Sequence, residues 1–283
     1  MSENRGVSGR RALSGTARFV VTVILVIFAL FPLYWMLNTA VLPTSAMFLK
    51  EPRLFPHLGE LGDHTDLLTS LPLVRWLSNS MVIAVGTTVL SIVIALFAAY
   101  SLSRYKFRGK GVLGFVLFAT QMLPEAMLLV PLYILFLGLG LLNNLTGLVL
   151  VNVIFVMPIV VWILKGAIDS VPLEIEEAAR VDGSSRLTIQ ISIVWPLILP
   201  SIAASAVLAF FYAWNEYLVA NTFILSDANR PASVGLASLI GELTTPLDTV
   251  MSGALIYTLP ALVFFLLVQR HIVSGLTAGS VKG

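Results

Sequence analysis

Apolar residues fall along this chain in six long runs separated by short polar stretches, not in the alternating or half-helical patterns of a water-soluble core. The runs are Phe19 to Leu37, Met81 to Leu102, Val112 to Leu137, Leu145 to Leu164, Val194 to Ala220 and Met251 to Val268. A hydrocarbon layer about 30 Å thick is crossed by about 20 apolar residues in helical form, so each run is long enough for one crossing. Within that layer backbone N–H and C=O groups must pair inside their own segment, which makes helix the expected form of all six. The first run differs from a cleaved secretory leader in its length, in Pro32 and Trp35 within it, and in the lack of a small-residue cleavage site after it. It reads as a retained helix. Only Gly138 to Asn144 join the third and fourth runs, which makes those two antiparallel neighbours. The segments 43 to 75 and 225 to 248 are longer and carry Pro43, Pro52, Pro56, Pro231 and Pro246; they read either as caps over helix ends or as a docking surface for an external partner.

The basic residues orient the array. Arg5, Arg10, Arg11 and Arg18 precede the first run; Arg104, Lys106, Arg108 and Lys110 follow the second; Lys165, Arg180 and Arg186 follow the fourth; Arg270 and Lys282 follow the sixth. The opposite side keeps Lys50, Arg53, Arg75 and Arg230. By the positive-inside rule both termini are expected in the cytoplasm. Residues 1–18 then form a basic cytoplasmic tail, disordered by composition and suited to anionic headgroups. Residues 19–274 form the membrane domain, with 166–190 as its main cytoplasmic loop, and 275–283 form a second cytoplasmic tail.

Composition agrees with an all-α polytopic membrane protein. Of 283 residues, 58% are apolar and 11% charged, against about 25% charged in soluble chains. The mean hydropathy of +0.94 leaves no room for a large aqueous domain. There is no cysteine, which removes disulfides and thiolate chemistry, and a net charge of +2 gives no reason to expect a nucleic-acid partner. Phosphate-binding loops of the G-x-x-x-x-G-K-[ST] kind are missing; Arg108-Gly109-Lys110-Gly111 lacks the earlier glycine and the hydroxyl that would hold magnesium. Neither G-x-S-x-G nor H-E-x-x-H occurs, and His57, His64 and His271 have no metal-site spacing. No catalytic residue, metal site or bound cofactor is expected of this chain.

The loop after the fourth run is the most informative stretch. Asp169-Ser170-Val171-Pro172-Leu173-Glu174-Ile175-Glu176-Glu177-Ala178-Ala179-Arg180-Val181-Asp182-Gly183 predicts a short helix over Pro172 to Asp182. Ser170 or Val171 stands at the cap, Pro172 in the first turn, glutamates near the positive end of the dipole, and Gly183 at the left-handed stop. Such a helix is about 16 Å long and needs a partner surface to persist. Ile175, Ala178, Ala179 and Asp182 share one face, small and flanked by acids, that suits a socket on another protein.

Glu177-Ala178-Ala179, then Gly183, then Ile193 and Pro196 resembles the EAA motif of permease subunits of binding-protein-dependent ABC importers; Trp195 stands where that motif usually has leucine. Asn79-Ser80, Ala98-Ala99-Tyr100-Ser101-Leu102-Ser103-Arg104, Met122-Leu123-Pro124, Trp214-Asn215-Glu216-Tyr217 and the stretch Gly275 to Gly283 resemble the carbohydrate branch, the maltose-type second permease in particular. The resemblance runs from the first run to the last residue. It implies the type I importer permease fold: six transmembrane helices and a cytoplasmic coupling helix seated in a cleft of an ATPase subunit. It also implies a bacterial or archaeal cell membrane, a homologous second permease completing the pore, two cytoplasmic ATPases that bind ATP and magnesium, and an extracytoplasmic binding protein that delivers a sugar. Ile175, Glu177, Ala178, Ala179, Asp182 and Gly183 are then the coupling residues, Glu177 as a polar anchor and Gly183 as the turn that aims the helix.

Ionisable residues within a membrane are costly and mark pathways by default. Glu125, beside Pro124, and Glu216, beside Asn215 and flanked by Tyr212, Trp214 and Tyr217, join carboxylates and amides to aromatic faces, a mixture that suits a sugar ring. Gln121 and Asn152 are further pathway candidates. A structural reading, with these groups bonding neighbouring helices, stands beside the pathway one. No run holds a lysine or arginine, which favours a neutral cargo over glycerol phosphate. An ion-coupled secondary transporter using Glu125 or Glu216 is the alternative from another class, and it leaves the EAA loop unexplained.

Overall fold

The computed structural model describes residues 5–42, 54–55, 71–241 and 247–279. Described residues form helices and connecting turns: α1 Arg5–Val41, α2 Leu73–Arg104, α3 Lys110–Thr120, α4 Glu125–Gly138, α5 Leu145–Asp169, α6 Leu173–Val181, α7 Arg186–Leu197, α8 Leu199–Asn215, α9 Leu218–Phe223, α10 Ala232–Gly241 and α11 Leu247–Gly279. Four are long and apolar enough to cross a membrane, over 17–41, 73–104, 145–169 and 247–269. The pairs α3–α4 and α7–α8 supply two more crossings if each bent pair counts as one span.

Two of the six expected spans are bent pairs and not single straight helices. The run Val112 to Leu137 is broken between α3 and α4 by a bend of 103°. Pro124 stands in extended conformation at the N-cap of α4, with no N–H for the preceding turn. The run Val194 to Ala220 is also not one helix. α7 begins at Arg186, contains a π-helical turn over Gln190–Val194, and meets α8 at Ile198 with a bend of 81°. Pro196 and Pro200 flank that break, and α8 stops at Asn215. The tails differ as well: helix reaches back to Arg5, through the stretch read as disordered, and forward to Gly279, into the stretch read as the second tail. No proline interrupts either extension. His57 and His64 and most of segment 43–75 lie outside the described residues.

The described residues fall into two compact units. One contains α1 and 247–256; the other contains 71–241 and 257–279. In the first, Phe31 and Trp35 stack at 5.9 Å, Tyr34 donates to Leu54 O, and Ser252 Oγ donates to Ala40 O at 3.4 Å. From Ala17 to Leu33 the flank of α1 is exposed.

The second unit is built around α2, α5 and α8. A Cβ on Gly86 would stand 3.0 Å from a Val149 methyl, and Ser103 bonds Asp169, so α2 and α5 run parallel. α2 turns a buried stripe of Ser80, Ala84, Thr87, Thr88, Ser91, Ala95 and Ala99 inward. Small residues at this spacing let membrane helices approach closely. One apolar cluster gathers Ala95, Ala99, Val160, Leu164, Ile168, Val194 and Ala209; the other gathers Ile83, Phe136, Leu148, Val151, Phe210, Trp214 and Phe223.

Residues 225–241 hold more structure than the sequence discloses. A 3-10 turn over Asp227–Asn229 leads into α10, which lies against α2: a Cβ on Gly235 would sit 2.3 Å from the Trp76 indole. Asn79 Nδ2 donates to Ala228 O and Arg230 O at 3.0 and 2.9 Å, and Ser80 Oγ accepts from Ala232 N at 2.8 Å. Asn143, at φ 53°, accepts from Leu225 N, Ser226 N and Ser226 Oγ. The segment is a strap over helix ends.

Candidate functional site

α6 is a short helix with well-formed ends. Pro172 is its N-cap residue, not Ser170 or Val171, and Ser170 instead closes α5. Glu174 and Glu176 lie in the first turn, near the positive end of the dipole. At the other end Gly183 takes φ +84°, Gly183 N donates to Arg180 O and Ser184 N to Ala179 O. That pair of bonds is the Schellman stop expected of a left-handed glycine.

Its faces are turned inside out. The buried edge is Glu176 and Ala179, while Leu173, Ile175 and Val181 are 50%, 39% and 88% exposed. Ala179, expected on the partner-facing side, instead packs into this chain's own core beside Ile189 and Val171. The geometry decides this, because Glu176 and Ala179 are three residues apart and form one edge. Ile175, Glu177, Ala178, Asp182 and Gly183 remain exposed.

Glu176 is the residue that sequence reasoning missed. Its Oε1 accepts from Arg104 Nε at 2.6 Å and its Oε2 from Tyr100 OH at 2.7 Å; the side chains of Arg104 and Glu176 are 10% and 2% exposed. Arg104 Nη2 also donates to Val171 O at 2.8 Å, and Arg180 Nε to Glu176 O at 3.3 Å. A buried carboxylate persists only when paired and hydrogen-bonded, and both its oxygens are satisfied here. Beside it, Ser103 Oγ donates to Asp169 Oδ1 and Lys165 Nζ pairs with Asp169 Oδ2. A polar cavity of about 170 Å³ opens at this joint, lined by Arg104, Glu176, Arg180 and Arg186 among others. A signal was present in the sequence: α2 ends on Arg104, and three glutamates compete for one buried place opposite it.

The second candidate group divides. At the α3–α4 bend Glu125 is exposed and accepts from Tyr212 OH at 2.8 Å, while Gln121 Nε2 donates to Phe155 O at 3.1 Å. Glu125 thus reaches α8 through Tyr212, while Gln121 reaches α5. Asn215 is exposed and its Nδ2 donates to Phe211 O. Glu216 has a structural occupation: its carboxylate accepts from Val219 N and Ala220 N at 2.6 and 2.9 Å, capping α9. Trp214 is buried, stacked between Phe210 and Tyr257 at 5.5 and 5.1 Å. Asn152 is also buried, and its Oδ1 has no partner among the described residues. Trp214 and Asn152 therefore belong to the interior and not to an open lining.

Comparison with known proteins bears on family and fold. The family described as "Binding-protein-dependent transport system inner membrane component" matches residues 91–277. The sulfoquinovosyl glycerol transport system permease protein SmoH of Agrobacterium fabrum is 32% identical, over 94% of this chain and 93% of that protein. The trehalose transport system permease protein SugB of Mycobacterium tuberculosis is 31% identical, over 93% and 96%. Among solved structures, a chain of a bacterial ABC transporter involved in importing the acidic polysaccharide alginate superposes with a TM-score of 0.77 at 24% identity, over 92% of this chain and 96% of that one. That likeness is one of fold.

Proposed function

We propose, starting from the fact that this chain belongs to the family of binding-protein-dependent transport system inner membrane components, that it is the permease subunit of an ATP-driven importer of carbohydrate. The observation that carries the reading is α6, which buries a glutamate in its own chain and presents Leu173, Ile175, Ala178 and Val181 to the outside. A nine-residue helix with that inversion is a plug awaiting a socket. The socket is a cleft on a cytoplasmic ATPase subunit, one of two, which bind ATP and magnesium. A homologous permease completes the pore, and a binding protein delivers the sugar on the far side. The distribution of basic residues supports a cytoplasmic position for α6 and both termini.

Closure of the ATPase dimer moves α6, and rocking of the helix bundles exchanges access between the two sides. Glu177, Ala178, Asp182 and Ile175 make the contact, while Gly183 and the buried Ala179 set its angle. On the cargo side, Glu125, Tyr212 and Gln121 supply hydrogen-bonding groups at or beside the bend between α3 and α4. The lack of lysine and arginine in the apolar runs favours a neutral sugar, as in the name of the trehalose permease, over the sulfonated cargo named for the Agrobacterium relative. The ion-coupled alternative has no use for α6.

The test is affinity purification from native membranes followed by uptake in vesicles. Recovery of a second permease and an ATPase, with Gly183→Pro and Glu177→Lys each abolishing ATP-driven uptake, is the expected result. A homo-oligomer without any ATPase, or unchanged uptake in both variants, refutes it.

A further inference from the structure

We propose that the groove between α3 and α5 binds one anionic phospholipid, with its phosphate held by Lys110 and Lys165 and an acyl chain laid along the glycine side of α3. α3 packs poorly against its own chain. Of its eleven residues Gly114 alone is buried, while Phe115 and Phe118 are 69% and 58% exposed. A helix of that length rises about 16 Å, against about 30 Å for the hydrocarbon layer, so α3 borders one leaflet only.

Between α3, α5 and the end of α2 lies a cavity of about 620 Å³, within the range of about 300–1,000 Å³ that holds a small organic ligand. Lys110 is the outermost lining residue on α3 and Lys165 on α5. Deeper along the same helices the lining is apolar: Phe115 and Phe118 on one side, Trp162 on the other. Gly111 and Gly114 keep the space between them open. Nothing stands within 4 Å of a Cβ at Gly111, and a Cβ at Gly114 would stand 3.7 Å from the Trp162 ring. Cations at the mouth and hydrocarbon within is the pattern of a phospholipid turned inside out.

Charge selects among lipids. Lys165 Nζ pairs with Asp169 Oδ2 at 2.5 Å and stands 5.8 Å from the Trp162 ring centroid. Lys110 Nζ donates to Tyr105 O at 3.2 Å and to Ser103 O at 3.5 Å. An ammonium has three N–H donors, so both lysines keep one or more for a phosphate. Asp169, the acid beside the mouth, is already engaged by Lys165 and Ser103. Lys106 and Arg108, exposed in the turn before α3, add positive charge. A zwitterionic lipid brings its own cation to this mouth, whereas an anionic one does not. Under the proposed orientation the groove opens to the cytoplasmic leaflet, where basic pockets between helices attract anionic headgroups. A protein segment would fill the apolar part and leave the lysines without a phosphate.

Trp162 makes the groove its own reporter, because bromine on an acyl chain quenches an indole that it touches. The full chain, with the subunits that co-purify, is reconstituted in phosphatidylcholine vesicles in which about a tenth of the lipid is brominated, either phosphatidylglycerol or phosphatidylcholine. Brominated phosphatidylglycerol is expected to quench in excess, with an apparent preference of about tenfold for two basic residues. The excess disappears in Trp162→Phe. It falls below about twofold in the Lys110→Gln, Lys165→Gln pair and survives in the Lys110→Arg, Lys165→Arg pair, which keeps the charge. Gly111→Phe, whose Cβ meets nothing in this chain, fills the groove and removes the excess without touching either lysine. Inorganic phosphate at constant ionic strength leaves the excess in place. Equal quenching by the two lipids, an excess that persists in Trp162→Phe, or full relief by phosphate overturns the lipid site. Quenching of Trp162 by neither lipid shows a protein segment over the groove and overturns it too. The measurement needs no ATPase, so its outcome is separate from that of the importer reading.

Discussion

Glu176 and Glu177 are adjacent and chemically identical, yet one is sealed against Arg104 and Tyr100 and the other faces outward. Removing the first strands a guanidinium and a hydroxyl inside the protein, a change that costs about 3–5 kcal/mol for a buried pair. Removing the second from an exposed surface costs within about 0.5 kcal/mol. Glu176→Ala is accordingly expected to strip hydrogen-exchange protection from the α6 amides, and Glu177→Ala to leave it nearly intact. Equal protection in the two variants would contradict the anchoring role. Composition pointed to this loop, and the spacing of its residues to a helix, but a helical wheel does not say which of three glutamates meets an arginine 72 residues away. The same blindness affected Trp214 and Asn152, whose aromatic face and side-chain amide suggested a lining and whose surroundings make them core. Tyr212 and Glu125, 87 residues apart, were legible as chemistry and only paired by the fold.

Helix identity was easier to read than helix continuity. Hydropathy counts apolar residues and carries no information about direction, so Val112 to Leu137 looked like one span although Pro124 turns it by 103°. The prolines marked where bends could fall, and only packing fixed the angle. α10 escaped notice because ten residues between Pro231 and Gly241 make no long run; Pro231, whose carbonyl accepts from Gly235 N, was its one opening signal. By contrast the stop of α6 was legible, since a left-handed position favours glycine. Nothing stands within 4 Å of a Cβ at Gly183, so Gly183→Ala pays only for backbone conformation, about 1–2 kcal/mol. Transport is expected to fall several-fold in that variant while ATP hydrolysis by the complex continues. Parallel measurement of uptake and hydrolysis in vesicles checks this, and a proportional loss of both would point to misfolding.

Across the whole molecule, the arrangement of charge is the feature that the sequence states most openly and the fold alone does not. Helix positions say where the chain can cross; Arg104, Lys110, Lys165, Arg180 and Arg186 gather around one end of α2 and α5 and are the argument for the cytoplasmic side proposed for that end. Reporter fusions after Gly166 and after Ala228 are expected to report cytoplasm and exterior respectively, and the reverse pattern would invert the proposed orientation.

The outward apolar face of α6 also bears on the life of the chain before assembly. Among the described residues Val181 stands largely bare, and Leu173 and Ile175 are half to a third exposed. If α6 docks as proposed, a copy synthesised ahead of its partners carries a sticky flag into the water beside the membrane, and docking conceals it. On the proposed importer reading, assembly and surveillance would read the same three side chains, so a finished complex would differ from a surplus subunit in whether that flag is showing.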